Sequence, residues 1–383
     1  MKKTCFHYVW GLAISIGWTL NGCVSRASLN AELVKVETHG IHDELVYSSF
    51  LKSYEIVALS DSVPEALIKF PDRILFAEDR IFVVDKADNK LLMFDREGNF
   101  LKSTASMVGK GHNEYIRLMD VAMDKEGRTL YVHCDAPYQI MVFDFDLNLK
   151  EIIHMDYYMN EMTVEGNLIY GLCYHTPPAK GVCLVSTAKS RPDTEPDTLL
   201  TFQNIVPGRW TFGKSLLSRH DGTYVCFPFD THIYQFRKGE ITETYNMDFG
   251  DHGLLAHPLP ENITPKMFDR YNNGLHWSIV NMSSSDSLLL FNTNSFELFI
   301  MDKEKRLCEG YKEAYNDLSR IHCGRIIPTQ GLPEGIVFQC NAHSIEETLQ
   351  AWAKKNDMPL VLKEISRNFN PEGNPLIMIW TIK

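Results

Sequence analysis

The residues of this chain that could recognise a ligand are arginines, histidines and aromatics in the segments between strand-like runs. Aromatic faces stack on a saccharide or a peptide, and charged groups beside them fix the orientation of the ligand. The candidate ligand-binding residues are His112, Arg117, Arg209, Trp210, Tyr271, His276, Arg320 and His322. The competing interpretation is that aromatics of these segments, such as Tyr115 and Trp277, only fill gaps between structural units.

Catalytic motifs of the common classes are absent from the sequence, which has no G-x-S-x-G, H-E-x-x-H, P-loop or EF-hand loop. Asp120 and Asp124 could serve a metal, because an i, i+4 spacing on a strand puts both acids on one face. Turn and hydrogen-bonding roles are the competing interpretation. No pair among His112, His276 and His322 has the spacing of a metal site. We therefore expect no catalytic residue, no metal and no cofactor, with a channel-bound calcium or zinc ion as the alternative.

Composition limits the classes to which the protein can belong. Its 383 residues are 44% hydrophobic and 23% charged, which are ordinary values for a globular protein. This length exceeds that of a usual single core and indicates two domains or one large closed architecture. The formal net charge of -11 argues against a nucleic-acid partner, because binding to a phosphate backbone depends on Lys and Arg.

The N-terminus has the pattern of an export signal. Lys2 and Lys3 precede an apolar stretch, Val9 to Leu20, that is too short to span a membrane. It ends in Leu20-Asn21-Gly22-Cys23, which resembles the lipobox of bacterial lipoproteins. We expect acylation of Cys23 and anchoring to the outer membrane, with a conventional signal peptide as the alternative. Since no acidic cluster follows Cys23, the expected location faces the periplasm, with the cell surface as the alternative.

The cysteines do not indicate a disulfide framework. Seven of the nine remain when Cys5 and Cys23 are set aside, and the sequence has no C-x-x-C. Most lie among apolar neighbours, so we expect buried thiols. Cys173 and Cys183 flank a predicted hairpin, and a disulfide between them is the alternative.

The rest of the chain repeats one unit of two strand-like runs joined by a turn. The six predicted units lie at 81–95, 129–144, 168–185, 223–236, 288–302 and 335–380. Strand repeats with a period of about 40–60 residues indicate the blades of a β-propeller. We expect an all-β, six-bladed propeller with four-stranded antiparallel blades. The alternative of two unrelated β-sandwiches is disfavoured, because the hairpins that end in Phe94-Asp95 and Phe143-Asp144 are near-duplicates.

The two ends of the propeller are predicted to meet in one blade. Tyr54–Leu59 is a strand without a blade of its own, and pairing it with Leu376–Ile382 would close the ring. Ser344 and Glu347 form a capping box that predicts one helix inserted in the last blade. The expected domains are a signal peptide at 1–22, a tether and N-terminal segment at 23–50, and the propeller at 51–383.

Several segments resemble one family in particular. The segments are 70–75, 81–95, 95–101, 109–115 and 374–380. They resemble the six-bladed β-propeller lipoproteins of Bacteroides-type bacteria, a family related in fold to NHL-repeat and TolB-like propellers. Gly109–Tyr115 is similar to the family motif G-x-G-P-G-E-Y, but His112 and Asn113 replace the Pro and the Gly. The resemblance implies an exported, lipid-anchored propeller and brings no established catalytic residues.

Together these features predict a non-catalytic binding or scaffold module of the outer membrane, with a glycan, a peptide or another envelope protein as its partner. A metal-dependent hydrolase or lyase with its site in the central channel is the alternative. Within Gly109–Arg117 we expect His112 and Arg117 to bind ligand. Glu114 and Tyr115 are expected to form a structural clasp between the first two blades.

Overall fold

A computed structural model describes most of the chain after the predicted signal sequence. The described residues are 32–174, 182–202, 213–219, 221–254, 256–260, 263–271, 274–317, 320–321, 325–332, 334–340, 342–355 and 357–383. Cys23, Arg209, Trp210 and His322 lie outside these ranges, as does the side chain of Tyr271. None of the helices in these ranges has the length and apolar character needed to cross a membrane.

Strands dominate the structure, because short β-branched and aromatic runs alternate with turns along the whole chain. The strands are β1 (Glu32–Val46), β2 (Leu51–Ala58), β3 (Arg73–Ala77), β4 (Arg80–Asp85), β5 (Lys90–Asp95), β6 (Phe100–Ser103), β7 (Arg117–Asp124), β8 (Thr129–Asp135), β9 (Gln139–Asp144), β10 (Leu149–His154), β11 (Glu161–Glu165), β12 (Leu168–Tyr174), β13 (Val182–Ala188), β14 (Asp197–Phe202), β15 (Leu216–Arg219), β16 (Gly222–Cys226), β17 (His232–Arg237), β18 (Glu240–Asp248), β19 (Ile279–Ser284), β20 (Leu288–Thr293), β21 (Leu298–Asp302), β22 (Leu307–Tyr315), β23 (Arg325–Ile327), β24 (Thr329–Gln330), β25 (Gly335–Gln339) and β26 (Leu376–Ile382). The helices are α1 (Pro265–Tyr271), α2 (Ala342–Ala353) and α3 (Leu360–Asn368).

These strands form a six-bladed β-propeller, as predicted. From the axis outward, the blades are β3–β6, β7–β10, β11–β14, β15–β18, β19–β22, and β23, β25, β26 and β2. Each predicted hairpin forms the two middle strands of a blade; Ile81 pairs with Phe94 in the first blade and Leu130 with Phe143 in the second. The short strand β24 pairs with β3 in parallel and links the last blade to the first.

The hydrophobic core is divided among the spaces between neighbouring blades. Six clusters of buried apolar side chains lie between successive pairs of blades, including the pair formed by the sixth and the first. A blade has two apolar faces, and stacking around an axis buries both of them. Since apolar residues fill the spaces between blades, polar residues can occupy the axis itself.

The ring closes where the sequence predicted. β2 pairs antiparallel with β26, so that Tyr54 lies opposite Trp380 and Val57 opposite Ile377. The Trp380 side chain is fully buried and its ring centre lies 6.0 Å from that of Tyr47. The last blade is therefore built from both ends of the chain.

The first strand takes a position that the sequence did not reveal. β1 pairs in parallel with β18 through residues 32–37 and with β22 through residues 37–46. It thereby joins the outer edges of the fourth and fifth blades in one nine-stranded sheet. Val34 and Val36 are fully buried by this pairing. Part of the segment predicted as a tether is thus a strand of the propeller.

The insertion in the last blade contains two helices where the sequence predicted one. α2 is the predicted helix, and Ile345 on it is buried against the cluster that contains Trp380. It begins at Ala342, so Ser344 lies inside its first turn and is not the N-cap. The prediction missed α3, a helix of little more than two turns whose apolar residues Val361, Leu362 and Ile365 are buried in the same cluster.

The cysteines are free in the described part of the chain. Cys134, Cys173, Cys183, Cys226 and Cys308 are buried, as expected from their apolar neighbours. Cys173 and Cys183 lie directly opposite each other on β12 and β13 as free thiols, without the disulfide that was the alternative.

Candidate functional site

Asp120 lies at the propeller axis and links four blades. Its Oδ2 accepts a hydrogen bond from the Met162 backbone amide (2.9 Å), and its Oδ1 accepts one from the Val121 amide (3.0 Å). Lys214 Nζ lies 2.9 Å from Oδ1, and Arg73 Nη2 lies 3.6 Å from Oδ2. Burial raises the pKa of this carboxyl, but Arg73 and Lys214 outweigh burial and hold it at about 2. Asp120 is therefore an ionised structural link.

Glu161 and Asn281 extend the same arrangement around the axis. Glu161 Oε2 accepts hydrogen bonds from the backbone amides of Ser215 (2.7 Å) and Leu216 (3.1 Å) at the start of the fourth blade. Asn281 Oδ1 accepts one from the Lys214 backbone amide (3.0 Å). We call Arg73, Asp120, Glu161, Lys214 and Asn281 the axial network. Its side chains join the inner strands of neighbouring blades.

The axial network bears on the alternative of a channel-bound metal ion held by Asp120 and Asp124. Asp120 occupies the channel, but the Asp124 carboxylate lies with Lys189 and accepts the Gly127 amide (3.1 Å). Two backbone amides and two cations already surround the oxygens of Asp120. In the ranges that the structure covers, no three His, Cys, Asp or Glu side chains form a group that could hold a metal ion. The described residues at the axis thus do not fit the donor set of a channel-bound calcium or zinc.

A cavity of about 390 Å³ lies beside the axial network. It is lined by Phe70, Pro71, Asp72, Lys86, Met119, Tyr158, Asn160, Glu161, Tyr174, Gly213, Lys214, Asn281, Arg325, Ile326, Ile327 and Pro328. These residues come from all six blades, and most of them lie where an inner strand begins. We call this space the axial cavity. Its volume lies within the range of small-molecule sites.

Two cations of the cavity wall lie near the carboxylate of Asp72 without a salt bridge to it. Lys86 and Arg325 form no salt bridge within the described residues, whereas Lys214 is paired with Asp120. The Arg325 guanidinium lies 5.4 Å from the ring centre of Phe70 and is half-buried. Such a group is available to bind an anion that enters the cavity.

Burial raises the pKa values of the two acids in the cavity wall. Burial raises the pKa of Glu161 despite the nearby Lys214 ammonium, and burial also raises the pKa of Asp72. Asp72 Oδ2 accepts the backbone amide of Lys86 at 2.8 Å. Desolvation thus disfavours the ionised form of both acids, and their oxygens still accept hydrogen bonds.

Asn281 combines backbone strain with an unused donor. Its φ of 52° is in the left-handed region, at an irregularity of the β19–β20 pairing between Val280 and Ser283. Its side chain is 1% exposed, and Nδ2 has no hydrogen-bond partner among the described residues. A Cβ on Gly213 would lie 2.4 Å from Asn281 Oδ1, so the close approach of these two segments requires glycine. Strained residues that persist at a cavity wall are typical of binding sites.

The predicted ligand-binding residues that the structure describes lie outside the wall of this cavity. His112 and Arg117 are exposed, and Arg117 pairs with Asp135. Arg320 is exposed at a backbone φ of 61°. Their roles in binding stay predictions, as do those of the residues outside the described ranges.

His276 is a buried, neutral residue. Its Nδ1 lies 3.0 Å from the Thr293 hydroxyl and its Nε2 3.2 Å from the Glu297 carboxylate. Burial lowers its pKa to about 4. The surroundings of His276 are those of a packed polar residue between strands, and its predicted contact with a ligand is untested.

Sequence reasoning missed most residues of the axial cavity. Asp120 of the adjoining axial network was recognised as an inner-strand acid, but Lys86, Asn160 and Arg325 of the cavity wall were not recognised. A signal was present, because a charged or amide residue stands at or just before several inner strands, as in Asp72-Arg73 and Asn160-Glu161.

The predicted clasp between the first and second blades is confirmed. Tyr115 is fully buried, and its hydroxyl donates to the Asn89 carbonyl (2.8 Å) and lies 2.6 Å from the Thr104 hydroxyl. Glu114 Oε2 accepts the Gly111 backbone amide at 2.6 Å. Together these contacts fix the turn between the two blades.

Tyr115→Ala is expected to lower the free energy of unfolding by about 3 kcal/mol or more, since it removes a buried aromatic and its hydrogen bonds. His112→Ala, three residues away and exposed, should change it by less than about 0.5 kcal/mol. Urea denaturation of both variants measures the difference. Equal stabilities of the two variants would contradict the clasp.

Fold and site together define a class: a six-bladed β-propeller with a polar, mixed-charge cavity on its axis. The chain belongs to the family of the DUF4934 domain, a domain of unknown function, whose model matches residues 32–381. Among curated proteins, none matches this sequence significantly.

Solved structures share the fold. A Bacteroides fragilis protein, provisionally named as exported, is similar with a TM-score of 0.63 and 14% identity over 92% of this chain and 99% of the other. The Cps50 (Swd1) β-propeller domain of Myceliophteria thermophila has a TM-score of 0.40 at 11% identity, over 75% and 82% of the two chains. BamB from Moraxella catarrhalis has a TM-score of 0.39 at 11% identity, over 75% of this chain and 74% of the other. The two TM-scores below 0.5 carry no argument about function. The lipoprotein character of this chain and its relation to NHL-repeat and TolB-like propellers stay predictions.

Proposed function

We propose that this protein is an exported, lipid-anchored module of the outer membrane that binds a small polar ligand in the axial cavity without catalysis. The observation that carries the proposal is the cavity wall, where Lys86 and Arg325 form no salt bridge and Asn281 Nδ2 has no hydrogen-bond partner among the described residues. Unpaired donors in a buried wall are costly, and a ligand that satisfies them is stabilised in return.

The cavity wall favours binding over catalysis. It contains no Ser, Thr, Cys or His in the described part of the chain, so the usual pair of nucleophile and base is missing. The ammonium of Lys214 in the wall forms an ion pair with Asp120, and Glu161 Oε2 already accepts hydrogen bonds from two backbone amides. The polar groups of the wall therefore act as hydrogen-bonding partners for a ligand.

Export and anchoring rest on the N-terminal pattern. The Bacteroides fragilis neighbour, whose name assigns it to the exported proteins, supports the same location. The lipobox-like Leu20-Asn21-Gly22-Cys23 supplies the anchor. Only nine residues, 23–31, separate the start of the mature chain from β1, which is held to the fourth and fifth blades. The propeller would thus lie close to the lipid surface.

Cys23→Ser should release the protein from the membrane fraction and abolish incorporation of labelled palmitate, because it removes the thiol that would carry the acyl chains. Cys5→Ser is the matched control, since Cys5 lies in the predicted signal peptide, and it should leave fractionation unchanged. Palmitate incorporation into the Cys23→Ser protein would contradict the anchor.

Occupancy of the axial cavity is tested by NMR of methyl-labelled methionines. Met119 is the methionine of the cavity wall, and exposed Met267 on α1 serves as the internal control. The probes are D-glucose, D-glucuronate, D-galacturonate and glycylglycine at millimolar concentration. We expect at least one sugar to shift the Met119 signal, identified from a Met119→Leu spectrum, and to leave Met267 unchanged. An unmoved Met119 signal with all four probes would contradict the proposed site.

A further inference from the structure

Resting on the proposed function, we propose that the axial cavity binds an acidic saccharide, with the sugar carboxylate held by Arg325 and Lys86. The hydroxyls of the same ring are then bound by Asn281, Asn160 and the oxygens of Asp72 and Glu161. This names the chemical class of the ligand and the residues that select it.

Charge at the cavity wall favours an anion. The wall has three cations, Lys86, Lys214 and Arg325, and two acids, Asp72 and Glu161. Asp120, the partner of Lys214, and Arg73 adjoin the wall and make four cations to three acids. The positive excess is notable in a chain whose formal net charge is -11. A local cationic site in an acidic protein attracts an anion to that one place.

The two cations differ in what they can do. Arg325 is half-buried between the rings of Phe70 and Phe296, each with its centre 5.4 Å from the guanidinium, so its orientation is restricted. A guanidinium held in this way matches the two oxygens of a carboxylate with parallel hydrogen bonds. Lys86 adds a second positive charge from the first blade.

Hydroxyl recognition needs donors and acceptors on several sides of the ligand. Asn281 Nδ2 is an unpartnered donor of the fifth blade. Asn160 Oδ1 accepts a hydrogen bond from the Tyr174 backbone amide (2.8 Å), which leaves its Nδ2 for a ligand. Glu161 keeps Oε1 for a ligand, because its hydrogen bonds to the Ser215 and Leu216 amides both use Oε2. These groups come from the third and fifth blades, while the cations come from the first and sixth.

A compact sugar ring fits this arrangement better than a peptide end. Its hydroxyls point outward around the whole ring, so one molecule can meet polar groups from opposite sides of the axis. An extended peptide usually binds along a sheet edge or a groove. Phe70, Tyr158 and Tyr174 supply aromatic surface for the apolar face of the ring.

The test is calorimetric titration of the full acylated chain in detergent with D-glucuronate, D-glucose and glycylglycine. Glucuronate and glucose share one ring and differ in a carboxylate in place of a hydroxymethyl group. We expect glucuronate to bind about tenfold tighter than glucose, since charge-assisted hydrogen bonds are worth at least this factor. Glycylglycine should bind more weakly than glucuronate.

Variants separate the roles of the cavity residues. Arg325→Gln and Lys86→Gln should each weaken glucuronate binding about tenfold and leave glucose binding unchanged. Lys125→Gln removes the same charge from an exposed turn and should change neither affinity. Arg325→Lys should recover part of the lost affinity, and melting curves establish that each variant is folded.

The outcomes are distinguishable. Equal affinities for glucose and glucuronate would overturn the assignment of an acidic saccharide and leave the binding module intact. Glycylglycine binding tighter than glucuronate, with loss in Arg325→Gln, would overturn the saccharide in favour of a peptide carboxylate. No binding of any probe, together with an unmoved Met119 signal, would overturn the proposed function itself.

Discussion

Deletion of residues 374–383 is expected to prevent the protein from folding. β26 is a middle strand of the last blade, between β25 and β2, so its loss removes the hydrogen-bonding partner of both neighbouring strands. Leu376, Ile377 and Trp380 are buried in two core clusters. Their combined loss exceeds the roughly 5–15 kcal/mol by which domains are stable.

The deletion also removes Asn374, which ties the last blade to the segment before the first. Its side chain donates to the carbonyls of Ser60 and Ala66 (2.8 Å each) and accepts the Ile68 amide (2.7 Å). Removal of Lys383 alone is the control and should preserve the fold. A cooperative melt of the deletion protein near the full-length temperature would refute closure of the ring by β26.

Asp120→Ala is expected to lower the free energy of unfolding by about 3–5 kcal/mol, because it leaves two buried cations without their carboxylate. Arg73 and Lys214 are only 4% and 7% exposed, so water cannot replace the lost partner. Asp124→Ala is the matched control on the same strand. It should cost less than Asp120→Ala, since it leaves one cation, Lys189, without its carboxylate instead of two, and the Lys189 side chain is 18% exposed and can reach water.

Acid titration gives a second signature of Asp120. Its pKa is about 2 in the folded protein, below the ordinary 3.8, so its contribution is complete above about pH 4. That contribution, on the order of 2 kcal/mol, is lost as the pH falls towards 2. Between about pH 4 and pH 2, the free energy of unfolding of Asp120→Ala should therefore fall less steeply than that of the unmodified protein. Parallel acid unfolding curves would contradict an ionised Asp120.

The blades could be predicted from the sequence because each is built from contiguous chain. Turns such as Arg96–Asn99 join strands that are neighbours in both sequence and space, so local alternation is sufficient. β1 was missed because its partners, β18 and β22, follow it by about 200 residues or more and pair in parallel. Nothing local marks such a pairing.

The axial cavity was harder to predict for a related reason. Asp120 could be recognised as an inner-strand acid, but its partners Lys214 and Arg73 come from other blades. Lys86 and Arg325 reach the same cavity only after all six blades have assembled. The sequence revealed which segments approach the axis, whereas the side chains that meet there depend on the geometry of the closed ring.

The most direct test of the account is a crystal structure of the protein with D-glucuronate. We predict electron density for the sugar in the axial cavity, with its carboxylate within hydrogen-bond distance of Arg325 and a ring oxygen at Asn281 Nδ2. Density for the sugar at the exposed His112 and Arg117, with an axial cavity that holds only solvent, would contradict the account.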